Sequence, residues 1–183
     1  MNLPDPDAHG VATAPDTVRF ERLLPGPIER VWAYLTEPEK RRQWLAGGEM
    51  ELRQGGQANL LFRHSDFTDE PAPEKYAEMN AKGYPSVHRI IDIDPPRMLA
   101  MTWPGEEEQE SEVVFELFPE GEKVLLVVTH RRLANRGEMT NVAGGWHAHL
   151  DVLATVLQGG GKRRFWSRFE TLAAEYERRF GGA

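Results

Sequence analysis

The middle of the chain is a run of short, strand-like segments separated by turns, and this pattern constrains the fold more than any other feature. Apolar residues alternate with polar ones, or run together, for about five to nine residues at a time. The six segments are 49–53, 56–64, 86–93, 97–103, 111–118 and 123–131. Connections such as 94–96 and 119–122 are too short for crossover helices. The sequence therefore predicts an antiparallel sheet with meander order.

A further strand and two short helices precede this run. Alternation from Thr17 through Val18 and Phe20 predicts a strand. Apolar residues at Ile28, Val31, Trp32 and Leu35 then follow the i, i+3, i+4, i+7 spacing of an amphipathic helix. The spacing of a capping box over residues 36–39 predicts a second short helix that begins at Thr36.

The longest predicted helix follows residues 136–137 and carries one apolar stripe. Its members are Val142, Trp146, Leu150, Leu153 and Leu157. A stripe of this length must be buried, and no other element is large enough to cover one face of a seven-strand antiparallel sheet. The prediction is therefore an α+β fold in which a curved sheet surrounds a long C-terminal helix and leaves a cavity between them. Glycines at 159–161 end this helix, and an appended amphipathic helix follows.

The domain organisation follows from these elements. Residues 1–16 are rich in Pro and Asp and predict a disordered tail, residues 17–158 form one domain, and residues 159–183 form a glycine-rich hinge and the appended helix. The acidic connection 65–85, with a helical turn at 76–80, is interpreted as a surface insertion in preference to a lid. Residues 106–110 are predicted to form a solvated hairpin tip.

Composition excludes several classes of function. The net charge of −7 and the absence of cysteine argue against nucleic-acid binding, disulfides and thiolate chemistry. The N-terminus lacks the pattern of a secretory signal, and no segment approaches the roughly 18 apolar residues of a membrane span. We expect a cytoplasmic protein without integral membrane association. The apolar stripe of the appended helix predicts docking on the domain or, alternatively, a homodimer.

Several short motifs together resemble one protein superfamily. They are 27–32, 94–99, 102–103, 129–133 and 144–150. In this order they resemble the SRPBCC superfamily of START-like, helix-grip, Bet v-like proteins, and within it the bacterial branch similar to the activator of the Hsp ATPase. The resemblance implies an internal apolar pocket used for lipid or polyketide binding, with catalysis or chaperone contact in some relatives.

The candidate cavity-lining residues come from strand parity and from the helix stripe. They are Phe62, His64, Trp103, Phe115, Val128, His130, Trp146, His149, Leu150 and Leu153. Core packing of the apolar members and ordinary structural roles for the histidines are the competing interpretations. His147 and His149 lie about 200° apart on a helix and are not predicted to share a metal ion. No catalytic residue, metal or cofactor is predicted.

Three functions are open at this point. The leading one is a binding protein for a small apolar ligand such as a lipid or polyketide. A chaperone-associated accessory protein of the stress response is the second, and it rests on the resemblance. The third is a hydrolase or cyclase that acts on a hydrophobic substrate through His64, His130 or His149, and this enzymatic function is the less favoured.

Overall fold

The computed structural model describes residues 4–105 and 109–181, which form one antiparallel sheet and five α-helices. The strands are β1 (Val11–Ala14), β2 (Thr17–Pro25), β3 (Gln57–Phe62), β4 (Tyr84–Asp94), β5 (Met98–Pro104), β6 (Glu110–Glu120) and β7 (Lys123–Arg131). The helices are α1 (Ile28–Thr36), α2 (Pro38–Arg41), α3 (Glu74–Lys82), α4 (Arg136–Leu157) and α5 (Phe165–Phe180). The predicted hairpin tip lies largely outside the described residues.

The sheet has seven strands in the order β1-β2-β7-β6-β5-β4-β3. Strands β3 to β7 form the predicted meander, since each pairs antiparallel with the next. Strand β2 returns to pair with β7, with Phe20 opposite Val128. Buried residues of β2, β6 and β7 contribute to a single core with the apolar stripe of α4. The predicted arrangement of a sheet around one long helix is confirmed.

Two strand assignments from the sequence are wrong, although the number of strands is the predicted one. Residues 49–53 make only an isolated bridge, between Met50 and Ala58, and Leu52 is exposed. Gly48 has φ of 95°, and a Cβ there would overlap the carbonyl oxygen of Asn59. The chain thus approaches β3 closely at Gly48 and bridges it once more at Met50, but it does not form a continuous ladder. The alternation of apolar and polar residues in 49–53 therefore does not correspond to a continuously paired strand.

The seventh strand instead comes from the segment predicted to be a disordered tail. Val11–Ala14 pair with β2 as β1, with Val11 opposite Arg19. All four residues of β1 are exposed, so backbone hydrogen bonds to the free edge of β2 stabilise the strand, and hydrophobic periodicity does not reveal it. Just before β1, the Gly10 amide donates to the Tyr176 hydroxyl at 2.6 Å, which joins the segment to α5.

The capping residues of the helices differ from the predicted ones in one case. The Thr36 hydroxyl donates to the Trp32 carbonyl within α1, so Thr36 does not cap α2, and Glu37 occupies the N-cap position. Helix α4 is capped by Asn135, whose side chain accepts from the Glu138 amide at 2.9 Å. Satisfying a free amide in the first turn stabilises a helix by about 1 kcal/mol.

Two segments predicted as loose connections are held against the domain. The insertion 65–85 contains α3, and Tyr76 of α3 stacks on Trp166 with ring centroids 5.3 Å apart. The segment between α4 and α5 is bonded to Thr68, whose hydroxyl donates to the Arg163 carbonyl at 2.7 Å.

Helix α5 packs its apolar stripe against other parts of the same chain. Its residues Phe165, Leu172 and Tyr176 are buried. Gly144 of α4 faces this helix, and a Cβ there would lie 3.6 Å from the Cα of Ala173, an ordinary contact distance. Docking on the domain accounts for this stripe, and a homodimer stays a prediction. None of the helices in the described part of the chain combines the length and apolar character needed to cross a membrane.

Candidate functional site

A small cavity of about 140 Å³ lies between α4 and the edge of the sheet. Its lining residues are Leu45, Phe62, Trp103, Val142, Gly145, Trp146 and His149. Helix α4 supplies the last four of these, which are spaced i, i+3, i+4 and i+7 and therefore share one face. The wall opposite α4 comes from the end of β3, from β5 and from the loop after α2.

Two tryptophans form the aromatic wall of the cavity. The ring centroids of Trp103 and Trp146 lie 5.1 Å apart, and Phe62 meets Trp103 edge-on at 6.1 Å. Phe115 packs edge-to-face against Trp146, with ring centroids 5.6 Å apart. Tilted and edge-to-face pairs of this kind are the favoured aromatic geometries, so the wall is well packed.

His130 lies behind this wall in a chain of hydrogen bonds whose direction is determined. The Trp146 indole is a donor only, so His130 Nδ1 accepts from it at 3.0 Å. Burial lowers the pKa of His130 to about 3, so the ring is neutral and Nε2 carries the proton. Nε2 therefore donates to Ser111 Oγ at 2.7 Å, and Ser111 donates to the Trp103 carbonyl at 3.2 Å. This series of hydrogen bonds links Trp146 to Trp103.

This polarity argues against a nucleophilic serine. A Ser-His pair in catalysis requires an unprotonated imidazole nitrogen that accepts the serine proton. Here His130 donates to Ser111, and the serine proton is used by a backbone carbonyl. Ser111 is also buried. The two residues therefore position Trp103 and Trp146.

His149 faces the cavity, and its orientation is determined by one bond. Its Nδ1 lies 2.7 Å from the Trp44 carbonyl oxygen, which can only accept, so Nδ1 carries a proton. Burial lowers the pKa of His149 to about 4, and the ring is neutral near pH 7. Its Nε2 is therefore unprotonated and presents a lone pair.

The loop that supplies Trp44 and Leu45 is held by a buried arginine. Arg41 is 1% exposed, and it donates to the carbonyls of Ala46 and Thr36, each at 3.0 Å, and to that of Gly48. Burial lowers its pKa to about 10, so it stays charged at neutral pH. The Trp44 indole donates to the Tyr34 carbonyl at 2.7 Å. These bonds locate both the cavity wall and the acceptor for His149.

The structure separates the predicted cavity residues into three groups. Phe62, Trp103, Trp146 and His149 line the cavity. The buried side chains of Phe115, Val128, Leu150 and Leu153 belong to the surrounding core. The third group is His130, behind the wall, and His64.

His64 is misplaced by the strand parity argument. Strand β3 ends at Phe62, and His64 begins a 3-10 turn. Its ring lies 4.6 Å from that of Trp166 and lines a separate cleft of about 20 Å³. Burial lowers the pKa of His64 to about 3.

Leu45, Val142 and Gly145 were missed as lining residues. The glycine had a detectable signal, because Gly inside a helix costs about 1 kcal/mol relative to Ala and its presence calls for a local reason. A Cβ at Gly145 would meet no atom within 4 Å, so the cavity begins at this position.

The prediction that His147 and His149 point to different surroundings agrees with their contacts. His147 Nδ1 lies 2.9 Å from the Tyr176 hydroxyl, on the α5 side of α4. Among residues 4–105 and 109–181, no group of three or more metal-ligating side chains is found.

A larger hollow of about 540 Å³ lies between α4 and α5, outside the space that the sheet encloses. It is lined by charged groups, among them Asp151, Arg163 and Arg168, and Arg168 pairs with Asp151 at 3.1 Å. Its charged lining and its place on the surface make it a groove between helices, unlike the apolar cavity under α4.

An antiparallel sheet packed around a long helix, with an apolar cavity between them, defines a helix-grip protein of the START-like, SRPBCC type. The family model described as "Activator of Hsp90 ATPase homolog 1-like protein" matches residues 25–158, and the chain belongs to this family. Comparison with the curated proteins found no match.

Solved structures share the fold. The protein encoded by gene BPP1335 from Bordetella parapertussis is 48% identical, with a TM-score of 0.82, over 98% of this chain and 95% of that one. CalU16 from Micromonospora echinospora is 21% identical, with a TM-score of 0.67, over 90% and 86% of the two chains. DynU16, from the dynemicin biosynthetic locus, is 22% identical, with a TM-score of 0.62, over 82% of this chain and 51% of that chain.

Proposed function

We propose that this chain is a START-like binding protein whose cavity under α4 encloses a small apolar ligand. The observation that carries the proposal is the apolar cavity itself, with walls formed by Phe62, Trp103 and Trp146. Pockets that bind small molecules are mostly apolar and aromatic with few polar groups, and this lining has that character.

The volume of the cavity limits the ligand. About 140 Å³ is close to the roughly 150 Å³ that accommodates benzene in an engineered apolar cavity. Pockets for larger ligands span roughly 300 to 1,000 Å³. The cavity therefore suits a single aromatic ring or a group of that size.

Gly145 offers a direct test, because a side chain added there enters the cavity without meeting the backbone. Toluene should bind the wild-type protein, perturb the fluorescence of the cavity tryptophans and raise Tm through ligand linkage. Gly145→Leu should abolish both effects while the protein stays folded.

The matched control is Asn141→Leu, which adds the same side chain to an exposed position of α4. It should bind toluene as the wild type does. Unchanged toluene binding by Gly145→Leu, or no binding by the wild type, would contradict the proposed function.

The chaperone-associated function rests on the family match, which covers residues 25–158. It stays a prediction, and its test is whether the purified protein changes the ATP turnover of the bacterial Hsp90 homologue. The stress-response role and the cytoplasmic location also stay predictions.

A further inference from the structure

Among the described residues that line the cavity, His149 is the only one with a titratable side chain. The other polar groups of the wall are indoles, and that of Trp146 already donates to His130. His149 therefore brings to the lining a polar ring whose hydrogen-bonding character can be determined.

That character is an acceptor. Because Nδ1 donates to the Trp44 carbonyl at 2.7 Å, the neutral ring has its lone pair on Nε2. The Trp44 carbonyl has no proton, so it cannot act as the donor in this bond. The bond from the Trp44 indole to the Tyr34 carbonyl, at 2.7 Å, holds Trp44 in place. The ring therefore cannot turn its proton toward the cavity without losing the buried bond to Trp44.

We propose that the cavity takes a neutral aromatic ring that carries one hydrogen-bond donor, an O–H or N–H, and that Nε2 of His149 accepts this bond. The proposal rests on the ligand-binding function above and names the class of ligand. Phenols and N–H heterocycles of one ring belong to the class.

Charged analogues are excluded by the same geometry. A phenolate or a carboxylate has no proton to offer a lone pair, and burying its charge among Phe62, Trp103 and Trp146 carries a large desolvation cost. Ligands that only accept hydrogen bonds, such as anisole, leave Nε2 without a partner.

The test on the wild-type protein compares phenol with toluene and anisole near pH 7, where phenol is neutral. One net hydrogen bond to a buried acceptor corresponds to a preference for phenol over toluene of about tenfold in Kd. Nitrogen NMR gives a second readout, because phenol, but not toluene, should shift the resonance of the unprotonated Nε2 of His149.

His149→Asn isolates the acceptor. Its side-chain amide retains a donor near the position of Nδ1, so the bond to the Trp44 carbonyl can persist, and it has no atom at the position of Nε2. This variant should bind phenol and toluene with equal affinity. Gly145→Leu, which fills the cavity, should bind neither.

The outcomes separate the two proposals. If phenol and toluene bind the wild type equally and Gly145→Leu abolishes both, the cavity binds ligands and the role of His149 is refuted. A phenol preference that survives in His149→Asn also refutes it. If no ring binds the wild-type protein, the ligand-binding function and this inference both fail.

Discussion

At the scale of single residues, the direction of hydrogen bonds determines what the cavity can do. His130 and His149 are both buried and neutral, yet they have different roles. His130 uses both nitrogens to position the tryptophans, whereas His149, which lines the cavity, uses Nδ1 on the Trp44 carbonyl. Residue type alone does not distinguish these roles, because the roles depend on the partner atoms.

Arg41 gives a prediction about stability at this scale. Replacing Arg41 with Met leaves the buried carbonyls of Thr36 and Ala46, and the half-buried carbonyl of Gly48, without their donor. Each unsatisfied buried group costs about 1 to 3 kcal/mol, so the free energy of unfolding should fall by about 3 kcal/mol or more. Urea denaturation measures the change.

The neighbouring Arg42 provides the control for this experiment. It makes surface pairs with Glu39 and Asp66, at 3.1 and 3.5 Å. Exposed pairs of this kind contribute at most about 1 kcal/mol, so Arg42→Met should have little effect. Equal effects of the two replacements would show that the buried bonds of Arg41 are not the cause.

At the scale of elements, α4 separates two different surfaces at adjacent glycines. Gly144 faces α5, where an added Cβ comes within 3.6 Å of the Ala173 Cα. Gly145 faces the cavity, where an added Cβ meets nothing within 4 Å. At this dipeptide α4 therefore has α5 within contact distance on one side and open space for a ligand on the other.

The two glycines predict opposite responses to the same change. Gly144→Leu should force α5 away from α4 and destabilise the protein by about 1 to 3 kcal/mol, the usual cost of overpacking. Gly145→Leu should be neutral or stabilising by up to about 1 kcal/mol, because Leu favours a helix over Gly. Thermal and urea unfolding of the two variants provide the comparison. If Gly144→Leu proves as stable as Gly145→Leu, the close packing of α5 on α4 is not limiting.

At the scale of the whole molecule, the burial of several histidines makes stability depend on pH. Burial lowers the pKa from 6.5 to about 3 in His64, His130 and His147, and to about 4 in His149. The same histidines titrate near their ordinary pKa of about 6.5 in the unfolded chain. Between these values unfolding takes up protons, so stability falls as the pH falls.

The expected pH profile is flat above about pH 7 and declines below about pH 6.5. Each of these histidines contributes about 1.4 kcal/mol per pH unit within the window. Burial raises the pKa of Asp151, and this one group makes stability rise as the pH falls, opposite to the histidines. Urea unfolding between about pH 8 and about pH 5 measures the slope.

His64→Phe provides the control for the pH profile. The ring contacts of His64 with Phe67, Phe165 and Trp166 suit a phenyl group, and the titrating site is removed. The slope below pH 6.5 should fall by about 1.4 kcal/mol per pH unit. A flat wild-type profile across this range would contradict the neutral state of the buried histidines.

Much of the fold was predictable because it depends on local patterns. Short turns force antiparallel pairing, and the stripe from Val142 to Leu157 requires a covering sheet, so the order of elements and the helix-grip class followed. Strand β1 was not predictable, since its residues are exposed and only the edge of β2 selects them. Residues 49–53 alternate like a strand but lack a continuous partner.

The sequence by itself determined the class of fold and the face of α4 that is buried, because periodicity and turn length are properties of neighbours along the chain. Its short motifs carried the resemblance to the family. The tertiary structure alone decided which buried side chains line a cavity and which pack solidly. It also decided that His149 bonds the Trp44 carbonyl through Nδ1, whereas His130 bonds through both of its ring nitrogens. These properties depend on atoms distant in sequence: the Trp44 carbonyl is 105 residues from His149, and only folding brings the two together.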